Sequence, residues 1–431
     1  MKKESNSFLK SISVLTAGSA ISIVFLAIQH IALPYIFSPA ELGIKSVILA
    51  LPTACIAIIC GRYDLPLVYE DDEKNISPLL KLNLVINVVL SSIITIVNLL
   101  YIIIFERDLS RFWYLTPAIW LYLISYGLTL TLNSYNNRYR EYQIISKMYV
   151  IRSAAQNLIP VVLGVILISW LKINSLAITV LVVPYCIGMA FGIYSQGKNI
   201  IKDRKKILSC DKLTIKKVAF KHIKQPVLSA PAMLANGFSY SLITIMTNAF
   251  FGETITGYYS LSITLLGLPI TLISGNISKV YIKDASIEYE KTGCFRKAYS
   301  KNCLFLVLVA IPMFFCMFFF APKFCTLLFG EKWELAGKYI QALSLMFSFR
   351  FISTALSPGL YVCKKQNVEL IIQIVFVLVT VLSGVIAHLL RCDSVSFMWI
   401  VGSARSLVML VHIIVVFYWS KAKKYIERVY K

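Results

Sequence analysis

Apolar runs of roughly 20 residues recur along the whole chain, and the gaps between them alternate between strongly basic and nearly neutral. A run of that length suits a helix crossing a bilayer, and the runs lack the two-residue alternation of barrel strands. Mean hydropathy of +0.73 and 58% hydrophobic residues exclude a soluble globule. Twelve helices are expected, near 11–36, 42–61, 79–104, 113–133, 149–170, 175–195, 226–250, 257–281, 299–320, 335–361, 367–389 and 396–419. Lys2, Lys3 and Lys10 followed by the small-residue stretch Ala17–Ala20 imitate a signal peptide, but the apolar run continues to Phe37, so an uncleaved first span is expected.

About thirty of the 43 Lys and Arg residues fall in every second gap. One side receives Arg138 and Arg140, then Lys198 through Lys224, Arg204, Lys205 and Lys206 included. It also receives Lys364 and Lys365, and the tail from Lys421 to Lys431. The other side has Lys45, Arg107, Arg111, Lys172, Lys323, Lys332, Lys338 and Arg391. The bias predicts both termini in the cytoplasm and an even number of spans. It also accounts for the net charge of +22 without nucleic acid, because the charge is spread over short loops rather than one face.

The longest basic gap divides the chain into an N-terminal lobe (1–197), a basic cytoplasmic linker (198–225) and a C-terminal lobe (226–431). The halves share a pattern: Phe37 to Gly43 and Phe251 to Gly257 each follow the first helix of a half, and Leu51-Pro52 and Leu268-Pro269 lie in the second. Six helices per half predict a parallel repeat related by an axis along the membrane normal.

The ten cysteines show no metal-ligand spacing and no disulfide framework. Short external gaps offer no catalytic acids, bases or metal ligands, and no phosphate-binding Gly-Lys-Ser/Thr loop occurs, so neither an enzyme nor a cofactor is expected. With no re-entrant filter or charged ring for a channel, transport remains.

Intramembrane polar groups then become the candidates. Arg350 and Arg405 lie inside spans with no membrane-depth Asp or Glu expected beside them, so carbonyls, hydroxyls, water or an anionic ligand are the available partners. Asn236, Tyr240, Thr244, Thr247 and Asn248 form a stripe on the seventh helix, which reads equally as helix packing. Arg152, Ser153, Gln156 and Asn157 open the fifth helix. Gln29 and His30 lie on the first, Lys45 and Arg62 bracket the second with Asp64 beside Arg62, and Lys279 ends the eighth. Arg62 and Asp64 read equally as an interfacial pair, and His30, His388 and His412 as packed residues. Cations without buried carboxylates suit an anionic cargo, above all a diphosphate lipid.

Several segments resemble the bacterial Wzx-type flippases of polysaccharide biosynthesis, in the multidrug/oligosaccharidyl-lipid/polysaccharide exporter superfamily. They are FSPAELG (Phe37 to Gly43), GRYDLPLVYEDDE (Gly61 to Glu73), Arg138 to Leu158, FFGETITGYYSLS (Phe250 to Ser262), Leu328 to Gly337 and Ser357 to Asn367. The resemblance implies an all-α membrane protein with two six-helix lobes in a V around a central cavity. Helices one, two, seven and eight would line it, bringing Gln29, Lys45, Arg62, Asn236, Tyr240, Asn248 and Lys279 near the cargo. It implies an undecaprenyl-diphosphate-linked oligosaccharide repeat unit, moved by alternating access to the outer leaflet of the inner membrane for O-antigen, capsule or a related polymer. Membrane lipids, the polymerase and the chain-length regulator would be partners. A multidrug exporter of the same superfamily would require a carboxylate facing the cavity. A non-transporting scaffold of the assembly complex would tolerate its neutralisation.

Overall fold

The computed structural model describes residues 2–202, 207 and 209–421; for residues 2–16, 107, 199, 201 and 202 it describes the backbone alone. The predicted basic residues Arg204, Lys205, Lys206, Lys423, Lys424, Arg428 and Lys431 lie outside the described residues, as do the side chains of Lys2, Lys3, Lys10, Arg107 and Lys202.

Among the described residues the secondary structure is entirely helical. Ten helices are long and apolar enough to cross a membrane, and Pro39–Ile48 with Ala50–Ile58, bent by 46°, makes an eleventh. The twelfth expected helix is Ala230–Phe251, 22 residues long. At 1.5 Å per residue it is long enough to span, but its polar stripe dilutes its hydropathy.

Two compact units emerge, Met1–Ser241 and Leu242–Lys431. The first holds α1 (Lys2–Ile36), α2 (Pro39–Ile48), α3 (Ala50–Cys55), α4 (Ile76–Phe105), α5 (Thr116–Arg138), α6 (Tyr142–Gly164), α7 (Ala177–Gly188), α8 (Ile193–Lys202), α9 (Lys212–Lys221) and the first half of α10 (Ala230–Phe251). The second continues with α11 (Glu253–Pro269), α12 (Gly275–Thr292), α13 (Arg296–Phe329), α14 (Glu334–Leu356), α15 (Gln366–Leu389) and α16 (Ser394–Lys421).

Helix α4 shows why these elements need a bilayer. Its outer face presents Val85, Val89, Ile93, Ile96 and Leu100, while Asn83, Asn87, Ser91, Thr95 and Asn98 are buried. That inverts the pattern of a surface helix in water. The buried amides bind neighbours: Asn83 donates to the Tyr63 carbonyl at 3.0 Å, and Asn87 to the Ile124 carbonyl of α5 at 3.0 Å. Small polar groups thus join helices that hydrophobicity alone cannot hold together in lipid.

Irregular backbone marks both Leu-Pro sites of the predicted repeat. The helix bends at Leu49, just before Leu51-Pro52, and Pro269 leads into a π-turn over Ile270–Ser274. Proline lacks an amide hydrogen, so the preceding turn cannot close its ladder. Among the described residues the non-glycine positions with positive φ are Arg62, Arg140, Lys172, Lys364 and Arg391, each past a helical segment. A cation there complements the negative helix end, offsetting a backbone cost of order 1 kcal/mol.

Candidate functional site

A cation and tyrosine cluster in the first unit is the main candidate. Its scaffold starts at Ser38, whose hydroxyl caps the Glu41 amide while the Glu41 carboxylate accepts from the Ser38 amide at 2.7 Å. This capping box starts α2 at Pro39 and fixes Lys45 nearly two turns along. The Lys45 Nζ lies 4.7 Å from the centre of the Tyr185 ring on α7. His30 of α1 is within electrostatic reach of the same amine.

Tyr185 is 5.8 Å from Tyr122 on α5, and Tyr122 is 6.2 Å from Tyr126, one turn further on. From α6, Arg152 lies 5.4 Å from the Tyr149 ring and interacts with Tyr122, Tyr126 and Tyr185. Arg62 and Asp64 also interact with Tyr126. Lys45, Arg152 and Arg62 are therefore linked through one run of tyrosines, with Asp64 as the carboxylate at its Arg62 end. Cations held against ring faces keep N–H groups available for phosphate oxygens. Phenol rings add flat, amphipathic surface.

Helix packing makes this geometry possible. Gly188 on α7 faces the α6 backbone at Ala155 and Gln156 so closely that a β-carbon would collide with it. The predicted polar opening of the fifth helix divides between two faces. Ser153 donates to the Ser22 carbonyl of α1 at 2.7 Å, joining the two helices, and Asn157 donates to the Ser153 carbonyl within α6 at 2.7 Å. Arg152 and Gln156 are half-buried.

Arg62 and Asp64 are not the pair that their spacing allowed. Among the described residues no ion pair joins them, and the Arg62 Nε and Asp64 Oδ1 are buried without hydrogen-bond partners. Arg62 has φ 62, which turns the chain sharply after α3. The Gln29 Nε2 on α1 is likewise buried and unpartnered, with the residue 1% exposed. Buried donors of this kind are uncommon and attract ligand or water.

The stripe on α10 divides as well. Ser241 donates to the Ala50 carbonyl at 2.8 Å and Gly237 meets the Ala54 backbone, seating α10 on α3. Asn236 and Tyr240 are half-buried between these contacts. In the second unit Thr247 donates to the Ile243 carbonyl within α10 at 2.6 Å, and Asn248 accepts from Thr256 of α11 at 3.3 Å.

The second unit corrects one expectation about buried charge. Glu369, in the first turn of α15, is 7% exposed, and a span was expected to hold no carboxylate at this depth. It accepts from the Gln373 amide at 2.6 Å and pairs with His412 Nε2 at 3.1 Å, while His412 Nδ1 meets the Ser353 hydroxyl at 3.0 Å. Its closeness to the helix start made it look like a loop-margin residue. Arg405 is fully buried, with Nη1 donating to Thr380 Oγ1 at 2.5 Å and its guanidinium 5.3 Å from the Phe376 ring. A hydroxyl and a ring are among its neighbours. Arg350 is half-buried, 5.2 Å from the Phe347 ring, and Lys279 is exposed on α12.

Sequence reasoning missed Tyr122, Tyr126, Tyr149 and Tyr185. Their signal was the four-residue step from Tyr122 to Tyr126 and the three-residue step from Tyr149 to Arg152, each placing two groups on one helix face. Among the described residues no cluster of His, Cys, Asp and Glu could hold a metal ion.

Solved structures share this architecture at low identity. A lipid II flippase, MurJ, in an inward closed conformation is 15% identical with a TM-score of 0.66, covering 95% of this chain and 87% of that one. An inward-facing multidrug resistance transporter of the MATE family in the MOP superfamily is 14% identical with a TM-score of 0.63, covering 95% and 93%. A MOP superfamily transporter from Pyrococcus furiosus, described as having a binding pocket of reversed polarity, is 12% identical with a TM-score of 0.60, covering 95% and 94%. These likenesses show that the chain shares the fold of those structures, and no curated protein matches the sequence. A family model described as polysaccharide biosynthesis protein matches residues 36–338, which take in every residue of the cation and tyrosine cluster, and the chain belongs to that family.

Proposed function

We propose that this protein is a flippase for an undecaprenyl-diphosphate-linked oligosaccharide repeat unit, carried by alternating access from the cytoplasmic to the outer leaflet of the inner membrane. One observation carries the reading: Lys45, Arg152 and Arg62 are linked by Tyr122, Tyr126, Tyr149 and Tyr185 within one helical unit. Ammonium and guanidinium groups bind diphosphate oxygens, and the tyrosines offer faces and hydroxyls to sugar rings. Family membership supplies the pathway class, and MurJ is described as a lipid II flippase on the same fold. The charge bias supports cytoplasmic termini, and the membrane potential favours outward movement of an anion at about 2.3 kcal/mol per charge per 100 mV.

The test is surface polysaccharide in cells carrying Lys45→Ala or Arg152→Ala, with Lys45→Arg and Arg152→Lys as charge-retaining partners. Losing one charge-assisted bond of about 2 kcal/mol lowers cargo binding roughly thirty-fold. Export should fall in the alanine variants and recover in part in the charge-retaining ones, at equal protein level. Undiminished export in both alanine variants refutes the reading.

A further inference from the structure

Helix α9, in the long basic segment between the halves, has two dissimilar faces. Val218 is 3% exposed and belongs to an apolar cluster with Tyr63, Leu67, Ile76, Leu79, Leu80 and Tyr135. Tyr63 donates its hydroxyl to the Ala219 carbonyl at 3.1 Å, and Lys81 Nζ donates to the Cys210 carbonyl at 2.9 Å. Those partners come from the segment between α3 and α4, from the first turns of α4, where that span begins, and from the last turn of α5. Helix α9 therefore lies at the level where α4 enters the membrane.

The opposite face is different. Leu213 is 64% exposed and Phe220 63%, and Lys216 and Lys217 lie between them and are exposed. Steps of three, four and seven residues place all four in one stripe, turned away from Val218. Exposed Ile223 and Lys224 continue the same mixture past the helix end. From Lys212 to Val227 there are five lysines and no acidic residue, and among the described residues only Lys221 of these forms an ion pair, with Glu70. Two large apolar side chains left in water beside unpaired lysines fit neither a solvated linker nor a packed one. An interfacial helix combines apolar side chains inserted among acyl chains with lysines at headgroup level.

We infer that the Leu213, Lys216, Lys217 and Phe220 face of α9 docks on the anionic headgroups of the cytoplasmic leaflet, so that the segment joining the halves is held between the first unit and the lipid surface. Charge complementarity selects lipid: each lysine near an anionic surface contributes about 1 kcal/mol, about fivefold in occupancy.

The full-length protein carrying Phe220→Cys is placed in nanodiscs of phosphatidylcholine alone or with phosphatidylglycerol. Labelling by a water-soluble maleimide is read at position 220 by peptide mass spectrometry, which separates it from the native cysteines. Labelling should be at least about tenfold slower in the anionic discs. Lys216→Gln, Lys217→Gln and Lys224→Gln together should abolish the difference, and Val218→Cys should stay protected in both lipids. Leu213→Cys gives a second reading of the same face if Phe220→Cys does not fold. Equal labelling in the two lipids overturns the inference. So does protection that requires added cytosolic protein, which assigns the face to a protein partner.

Discussion

The other face of α9 gives the most quantitative prediction. Glu70 is 3% exposed and accepts from Lys221 at 2.5 Å and Asn75 at 3.0 Å, with His222 at 2.7 Å. Burial alone would push its carboxyl up, but the hydrogen bonds from Lys221, Asn75 and His222 outweigh it and hold the group at about 2 instead of its ordinary 4.5. That difference corresponds to about 3 kcal/mol favouring the ionised, docked form. Lys221 is half-exposed and screened by water, so about 2 kcal/mol is the expected share. Glu70→Gln keeps the shape and removes the charge. Local opening of residues 212–221 should then become about thirty times more frequent, read as faster amide hydrogen exchange. The sign with pH follows. A depressed carboxyl stabilises above its ordinary value and loses that contribution as pH falls from about 4.5 towards 2. Exchange corrected for its intrinsic rate should show this acid step in the native protein and not in Glu70→Gln. A change below threefold, or the same acid step in both proteins, refutes the latch.

Other substitutions test the packing. Glu369→Ala orphans buried His412, and should lower stability by about 3 kcal/mol, seen as a lower melting temperature in detergent. Arg405→Ala leaves a large cavity between α15 and α16 and should cost at least about 3 kcal/mol by the same assay, so lower export by this variant must be scored against protein level. Gly188→Val forces α6 from α7 and should reduce both stability and export. Asn87→Leu removes the donor to the Ile124 carbonyl and should cost about 1 kcal/mol, with Gly127 held too close to Asn87 to admit a larger side chain.

The helical class and nearly all of the spans were legible because apolar length is a direct physical demand of the bilayer, met locally by each run. Helix ends were less so. α13 runs from Arg296 to Phe329, well beyond the predicted 299–320, because Pro312 and Pro322 bend a helix in lipid without ending it. The candidate site was half legible. Lys45, Arg62 and Arg152 stood out as cations near apolar runs, yet their meaning depends on rings supplied by α5 and α7. Tyrosine is common at helix ends in membranes, so no count of Tyr residues distinguishes Tyr185 from the exposed Tyr194.

Arg405 and Glu369 show where a linear reading of charge must fail. Both are ionisable groups buried among helices, and the sequence singles out Arg405, beside Arg350, and passes over Glu369, because one is central in a span and the other near its start. Depth along a helix is only one coordinate. The direction in which the side chain points decides whether lipid, water or another helix receives it. Glu369 points at α16 and meets His412, and Gln373 one turn on completes its hydrogen bonds. Arg405 points at α15 and meets Thr380 and Phe376. Both meet partners within the second unit, yet Arg405 Nε, like Arg62 Nε in the first, is buried and makes no hydrogen bond among the described residues. In the first unit Arg62 Nε is accompanied by Lys45 and Arg152, which lie on ring faces. The anionic cargo is therefore to be sought first on the tyrosine run from Lys45 to Arg62, where three cations gather around four rings, and Arg405 is a second place to look for it.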